Sequence, residues 1–435
     1  MPSESYSAVD LFCGAGGLST GLSWAGFDVI WATDSDKKAV KTYTVNHPEV
    51  RTTTEDIASI QPSELHTTGG LDLLAGGPPC PTFSKVGRAK LNSLEGSDPA
   101  TDSRHQLWQH FLRFASHYRP RVLLIENVLG MATATNEAGE AVLSIILDEF
   151  RSLGYRVDAS VIDAASFGVP QHRERLFIIG NRIDVPNPEL ANWRTHREPR
   201  TQDEYQADMV SAQGPHTFQQ TFDEIPGSGD EIDSESQNTP RYRKPYVTTG
   251  AAILDLPPLS PAGDKLNRDE THPSVRADHY EIPAVTEYQQ WARNIPKEKS
   301  WKDVSLSNHE SRFHNVSDLS IYKLLGPSTG WRIGDLPEQL QPYRADVFAD
   351  NYTKQDPTRP SSTIPAHLHK DGHMHIHPSE ARSFTVREAA RLQSFRDTYR
   401  FPVSRTAGFK QVGNAVPPLL AESIGNAIMS ILRDS

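Results

Sequence analysis

Cys80 stands between Pro79 and Pro81 in the run Gly76 to Ser84, GGPPCPTFS, and is one of two cysteines among 435 residues. A thiolate attacks readily and leaves readily, so a cysteine on a Gly/Pro-rich turn is a candidate for transient covalent chemistry. On this segment alone the competing reading is a small buried hydrophobe, the ordinary fate of a free cysteine. The apolar run Leu71 to Ala75 ahead of it predicts a buried strand that delivers Cys80 to a strand end, where ligands bind in open α/β sheets.

Two further elements point to what would share that edge. The first strand runs into Asp10-Leu-Phe-Cys-Gly-Ala-Gly-Gly-Leu, a glycine turn whose backbone can approach a ligand closely and which opens a helix with free N–H groups. The spacing is not GxGxxG and no P-loop lysine follows, which favours a carboxylate over a nucleotide phosphate. Asp34 closes the second strand, where an acidic residue takes ribose hydroxyls. A nucleoside bearing an amino-acid carboxylate satisfies both, and S-adenosylmethionine is such a molecule.

Composition narrows the class. The length suits two or three domains, and a mean hydropathy of −0.53 suits a water-soluble chain. The start MPSESYSAVD offers neither a basic leader nor an apolar signal core, and no apolar run reads as long enough to span a bilayer. Two cysteines build neither a disulfide framework nor a zinc site. The expectation is a cytoplasmic, reduced, monomeric protein with no metal and no membrane partner. A net charge of −11 and a pI near 5.9 run against a nucleic-acid binder, so any such role rests on local basic surface. Candidates are Arg241 to Lys244, Arg312 with His314, Lys323, Arg382 with Arg387 and Arg391, and Arg400 with Arg405 and Lys410. Singly, each is better read as a solvated face.

From Ala8 to about Gly180 short apolar runs alternate with helical periodicity, as in βαβ units on a parallel sheet. Strands read at Ala8 to Phe12, Val29 to Ala32, Leu71 to Ala75, Val122 to Ile125, Val157 to Ile162 and Leu176 to Ile179, with helices at Leu18 to Ala25, Lys37 to Asn46, Leu107 to Tyr118 and Ala141 to Leu153. Residues 183–240 turn polar and linker-like, and from Tyr246 to Pro378 the pattern suggests a second domain of irregular and β character. Helices resume at Val386 to Ser394 and Pro418 to Leu432. This gives a catalytic and cofactor domain over 1–182, a linker and second domain over 183–380, and a C-terminal segment, 381–435, returning to the first. His367, His369, His373, His375 and His377 could share one strand face and hold a metal, but no carboxylate or cysteine completes a site. A hairpin turning at Asp371-Gly372 is the better account.

The ordered set DLFCGAGG, PPCPTFS, Glu126-Asn127-Val128, QHRERLFIIG, REAARLQSF and QVGNAVPP resembles the DNA cytosine-C5 methyltransferases, over most of the N-terminal half and the last fifty residues. One departure is Pro81, where that family often has Gln. The resemblance implies an α/β fold, with a Rossmann-like S-adenosylmethionine-dependent methyltransferase sheet and a smaller target-recognition domain. It implies methyl transfer to C5 of a cytosine flipped out of double-stranded DNA, S-adenosylhomocysteine as product, and a restriction or related defence partner. It makes Cys80 the nucleophile, Glu126 the carboxyl at the ring N3, and Arg173 and Arg175 the groups that orient cytosine, Glu126 and phosphate. Around the cofactor it places Phe12, Gly14, Gly16, Gly17, Leu18, Asp34, Asp56, Ile57, Pro79, Leu107, Asn414 and Val416. Toward DNA, Ser84, the loop from Arg88 to Arg104, and Thr363 are the family-like candidates; the basic surface adds Arg241 and Arg312. A tRNA substrate is disfavoured because no cysteine follows Cys80, and a non-catalytic DNA-binding scaffold is disfavoured because Cys80, Glu126, Arg173 and Arg175 are all present. Base-reading residues are expected between Tyr246 and Pro378, with Arg312, Lys323 and Arg332 as candidates.

Overall fold

The computed structural model describes residues 5–64, 70–79, 107–136, 139–199, 243–261, 275–296, 298–325, 333–341, 352–370 and 372–434. Its contacts divide the chain into two compact units: Met1–Phe167 with His172–Trp193 and Arg400–Ser435, and Gly168–Gln171 with Arg194–Tyr399. Residues 381–399, grouped with the C-terminal return in the sequence reading, therefore pack within the second unit. The buried ion pair of Arg391 with Asp255 ties them there.

The first unit is built on β1 (Tyr6–Leu11), β2 (Phe27–Thr33), β3 (Arg51–Thr53), β4 (Leu73–Gly76), β5 (Val122–Asn127), β6 (Arg156–Asp163) and β7 (Glu174–Asn181), in the order β3-β2-β1-β4-β5-β7-β6. Neighbours from β3 to β5 are parallel, while β7 runs antiparallel to both β5 and β6. The strand order reverses between β1 and β4, the switch point beside which open α/β sheets bind ligands. Central strands are apolar throughout because both faces are covered: Leu73, Leu74 and Ala75, like Val122 to Ile125, are buried. The helices are α1 (Gly17–Trp24), α2 (Lys37–Asn46), α3 (Leu107–Tyr118) and α4 (Val142–Ser152). Phe111, Phe114 and Phe150 from α3 and α4 join the core beneath β4 and β5. Strand β3 went unread in the sequence because Arg-Thr-Thr carries no apolar signal.

The end of the chain completes this unit. Helix α9 spans Arg405–Asn414 and α10 spans Pro418–Arg433, and α10 packs on α1. The approach is close: a Cβ on Gly21 would lie 2.4 Å from the Pro418 carbonyl oxygen, so only glycine fits there. By length and composition the stretch Arg405–Arg433 would suffice to cross a bilayer, which the sequence reading passed over. Its apolar face is core, with Leu420, Ile424, Ile428 and Leu432 buried.

The second unit departs from the expected β character. Its described residues form short capped helices, α5 (Thr249–Ile253), α6 (Glu287–Arg293), α7 (Val316–Leu324) and α8 (Val386–Leu392), with one two-residue strand pair, β8 (His196–Arg197) and β9 (Lys244–Pro245). Thr286 with Gln289 and Thr385 with Glu388 make full capping boxes, a local signal that starts helices too short for periodicity to reveal. Of the arginines read as basic surface, Arg382, Arg387 and Arg391 are buried instead, while Arg400 and Arg405 are exposed. Arg382 pairs with Glu380 and Glu388, and Arg391 with Asp255 and Asp397, while Arg387 donates to the Ser307 and Tyr399 carbonyls.

The histidine run does not form a strand face. Ala366–His369 is a turn of 3-10 helix, and Asp371 of the expected hairpin lies outside the described residues. His373 stacks on Tyr352 and bonds the Tyr322 hydroxyl, His375 bonds Ser362, and His377 faces Glu380 and Glu388. Each of these three has its own core partner, and among the described residues no group of three or more His, Cys, Asp or Glu side chains is placed to hold a metal ion.

Candidate active site

A cavity of about 590 Å³ opens in the first unit at the carboxyl ends of the strands. Strand β1 supplies Asp10 and the turn that follows it, β2 leads to Asp34, β3 to Asp56 and Ile57, β4 to Gly77, Pro78 and Pro79, and β5 ends on Glu126 and Asn127. Arg173 and Arg175 enter from the start of β7, Leu107 from α3, and Asn414 and Val416 from the turn between α9 and α10. Every expected cofactor residue lines this cavity except Gly16, which sits behind it. Gly16 caps α1 with a φ of 92° and donates to the Cys13 carbonyl.

The turn after β1 forms part of the cavity wall. Phe12, Gly14 and Gly16 all have positive φ, which wraps the backbone tightly ahead of α1. Asp34 is anchored by two backbone donors, the Gly14 N–H at 2.9 Å and the Asp36 N–H at 2.8 Å. Each of its oxygens keeps a further lone pair for a ligand hydroxyl. Burial raises its carboxyl above the ordinary range despite those bonds.

Sequence reading passed over Asp10 as a site residue. Its Oδ2 accepts from Ser19 at 2.5 Å, Ser19 accepts from the Tyr43 hydroxyl at 2.8 Å, and Oδ1 is buried on the cavity wall with no partner. Burial pushes this carboxyl up to about 7. Lys410 and Asp36 pair at 3.0 Å beside Asp34. Asn127 was also missed: its side chain donates to the Pro78 carbonyl at 2.8 Å and pins the turn that leads to Cys80.

At the other end of the cavity Arg175 Nε lies 3.1 Å from Glu126 Oε1. Gly77 makes room for this carboxylate, since a Cβ there would come within 3.2 Å of Glu126 Oε2. Gly76 is required more strictly, because a Cβ would fall 2.2 Å from the Leu11 carbonyl oxygen. Arg173 is turned to a different task and donates to the Gly413 and Ala415 carbonyls. Burial, then the charge of Arg175, lowers its affinity for a proton.

Cys80, Ser84, Arg88, Arg104, Arg241 and Arg332 lie outside the described residues. Cys13 is buried, and its thiol is pushed well up by burial and by the charges of Asp10 and Asp34, so it is no nucleophile at neutral pH. Arg312, expected at a DNA surface, is buried and donates to the Leu368 carbonyl at 3.2 Å, while Lys323 is exposed. Thr363 belongs to the second unit, where the fully buried Gln171 fixes its segment: Gln171 Oε1 accepts from the Ile364 N–H at 2.8 Å, and Nε2 donates to the Leu392 carbonyl at 3.0 Å.

A seven-stranded sheet with one antiparallel strand and a cavity at its switch point defines a class, and comparison with known proteins defines the family. The profile of the C-5 cytosine-specific DNA methylase family matches residues 6–430. The type II methyltransferase M.AgeI of Thalassovita gelatinovora is 31% identical over 480 residues, covering 97% of this chain and 98% of that protein. M.DdeI of Desulfomicrobium norvegicum is 30% identical over 438 residues, covering 97% and 88%. A solved structure, a prophage-encoded E. coli chain assigned as a DNA modification methyltransferase, shares the fold with a TM-score of 0.64 at 24% identity over 99% of this chain and all of that one. The chain belongs to the C-5 cytosine-specific DNA methylase family and is a DNA cytosine methyltransferase.

Proposed function

We propose that this cavity binds S-adenosylmethionine and that the chain methylates C5 of a cytosine flipped out of double-stranded DNA, through a covalent bond from Cys80 to C6. The observation that carries the reading is one cavity walled by Asp34 at one end and the Glu126–Arg175 pair at the other. Its volume is in the usual range for a small-molecule site. The donor set fits the cofactor: Asp34 for the ribose hydroxyls, Asp56 and Ile57 for the adenine, Phe12 against that ring, and the turn from Gly14 to Leu18 for the carboxylate. The unpartnered Oδ1 of Asp10 suits a cationic group. When bound, the cofactor supplies an electrophilic methyl group.

The protein's part is to make C5 nucleophilic. Stacked in the duplex, the ring face at C6 is closed to attack, so the base must leave the helix. The Cys80 thiolate adds to C6, and Glu126 holds the hydrogen bond at N3 that relieves the charge on the ring. Arg175, fixed on Glu126, orients that carboxyl and the cytosine carbonyl. After C5 is methylated it gives up its proton, the C6–S bond breaks, and the thiolate returns. Thr363 and Ser84 are the proposed phosphate anchors. The relatives' designation as type II methyltransferases supports a place in a restriction-modification system.

Bisulfite sequencing of DNA from a host expressing the protein tests this. Protected cytosines in one sequence motif are expected, absent with Cys80→Ser; unmethylated DNA, or motif methylation that survives Cys80→Ser, would overturn it.

A further inference from the structure

Arg173 and Arg175 are two residues apart and both line the cavity, yet their guanidiniums are committed differently. Arg175 reaches Glu126. Arg173, only 1% exposed, donates from Nη2 to the Gly413 carbonyl at 3.0 Å and the Ala415 carbonyl at 3.1 Å, the two that flank Asn414. Its own backbone is fixed from both sides: its N–H donates to Asp163 Oδ1 at 2.8 Å, and its carbonyl accepts from the Ala164 N–H at 3.0 Å.

The need for such a donor follows from the sequence of the turn. Helix α9 ends at Asn414, and the last carbonyls of a helix have no partner within it. Often the next few backbone N–H groups turn back to satisfy them. Here the Ala415 N–H does so for Gln411, but Pro417 and Pro418 have no N–H to offer. A buried cation at a helix C-terminus also meets the favourable end of the helix dipole.

We propose that Arg173 is a positioning residue: its guanidinium splints the turn from Gly413 to Ala415, and so holds the Asn414 and Val416 wall of the cofactor pocket. This rests on the cofactor reading given above. The neighbouring arginines then divide the work, Arg175 serving the methyl acceptor and Arg173 the methyl donor's pocket, so that one short segment couples the two halves of the site.

The test compares R173M, R173K and R175M in the full chain. Calorimetric titration with S-adenosylhomocysteine should show affinity weakened roughly 10-fold or more in R173M, partly recovered in R173K, and changed less than about 2-fold in R175M. In steady state R173M should raise the cofactor KM more than it lowers kcat, and R175M the reverse. R173M with wild-type affinity for S-adenosylhomocysteine but lost covalent trapping on 5-fluorocytosine DNA would overturn the proposal and return Arg173 to the cytosine. If R173M does not fold, R173K decides through hydrogen exchange: faster exchange confined to residues 411–416 is expected, and unchanged exchange with lost trapping would refute it. A wild-type protein that fails to bind S-adenosylhomocysteine would instead refute the cofactor reading itself.

Discussion

Arg175 Nε and Glu126 Oε1 lie 3.1 Å apart, each with little solvent exposure, at the end of the cavity remote from Asp34. The pair sets the orientation of the carboxyl that the proposed chemistry needs at the cytosine N3. Glu126→Gln keeps the shape and removes the charge that Arg175 grips. Methyl transfer should fall by on the order of 10²-fold or more, with cofactor affinity unchanged. Single-turnover kinetics on DNA carrying the target motif will show whether the loss falls on the chemical step; a loss confined to cofactor binding would contradict the assignment.

Asp34 offers its remaining lone pairs from a carboxylate already oriented by Gly14 and Asp36. Asp34→Ala should weaken cofactor binding by about 1.5 to 3 kcal/mol, the range for a hydrogen bond to a charged group. It also frees the Gly14 N–H, so some loosening of the turn belongs to the same effect. Calorimetry reports the change, and undiminished affinity would place the ribose acceptor elsewhere.

Asp10 gives the unliganded protein a pH dependence of defined sign. Its folded value of about 7 stands above the ordinary 3.8, so the folded state holds the proton more tightly. The associated stability is full below pH 4 and is lost as pH rises through 7. Asp10→Asn removes this loss, and its advantage over wild type should grow from pH 5 to pH 8, to on the order of 2 to 4 kcal/mol. Denaturant titrations at the two pH values measure it; a gap that does not widen with pH would show that Asp10 is already ionised in the fold.

The buried histidines of the second unit act in the opposite direction. Burial holds His309 and His375 down to about 4 and His377 to about 3, below the ordinary 6.5. Their contribution is complete above pH 6.5 and is lost as pH falls toward 4, because the unfolded chain then binds more protons. Hydrogen exchange across residues 305–325 and 372–399 should quicken between pH 6.5 and 5, after correction for the intrinsic rate. Retained protection at pH 5 would argue that these rings titrate normally.

Gln171→Leu should leave cofactor affinity intact while weakening DNA binding several-fold, since the amide fixes the backbone beside Thr363. Fluorescence anisotropy at several salt concentrations separates a lost phosphate contact, which lowers the salt slope, from general unfolding.

Much of the first unit was legible because its strands are buried on both faces and its loops are marked by glycines and prolines. Glycine turns and an acidic strand end pointed to Gly14 and Asp34, while Asp56, Ile57, Leu107, Asn414 and Val416 were named through the family resemblance; all of these line the cavity, and Gly16 does not. Polar β3 was invisible, since pairing with β2 rather than an apolar pattern makes it a strand. The arginines at 382, 387 and 391 were misread for a different reason. A charge run looks like surface until its partners are known, and Arg391 takes one carboxylate from Asp255, distant in sequence, and another from Asp397. Asp10 and Arg173 show the same limit within the site: the family resemblance named Arg173 and the sequence did not single out Asp10, and only the hydrogen-bond partners show what each side chain does.

The Asn414 wall belongs to α9 and its turn, and α10 docks against Gly21 near the start of the chain. Synthesis therefore lays down the sheet before this wall of the cavity. A chain stopped before α9 would lack the Asn414 wall of the cavity, and on the proposed reading it should not hold the methyl donor. On the proposed function, affinity for the methyl donor should therefore depend on residues laid down more than 370 positions after Asp34.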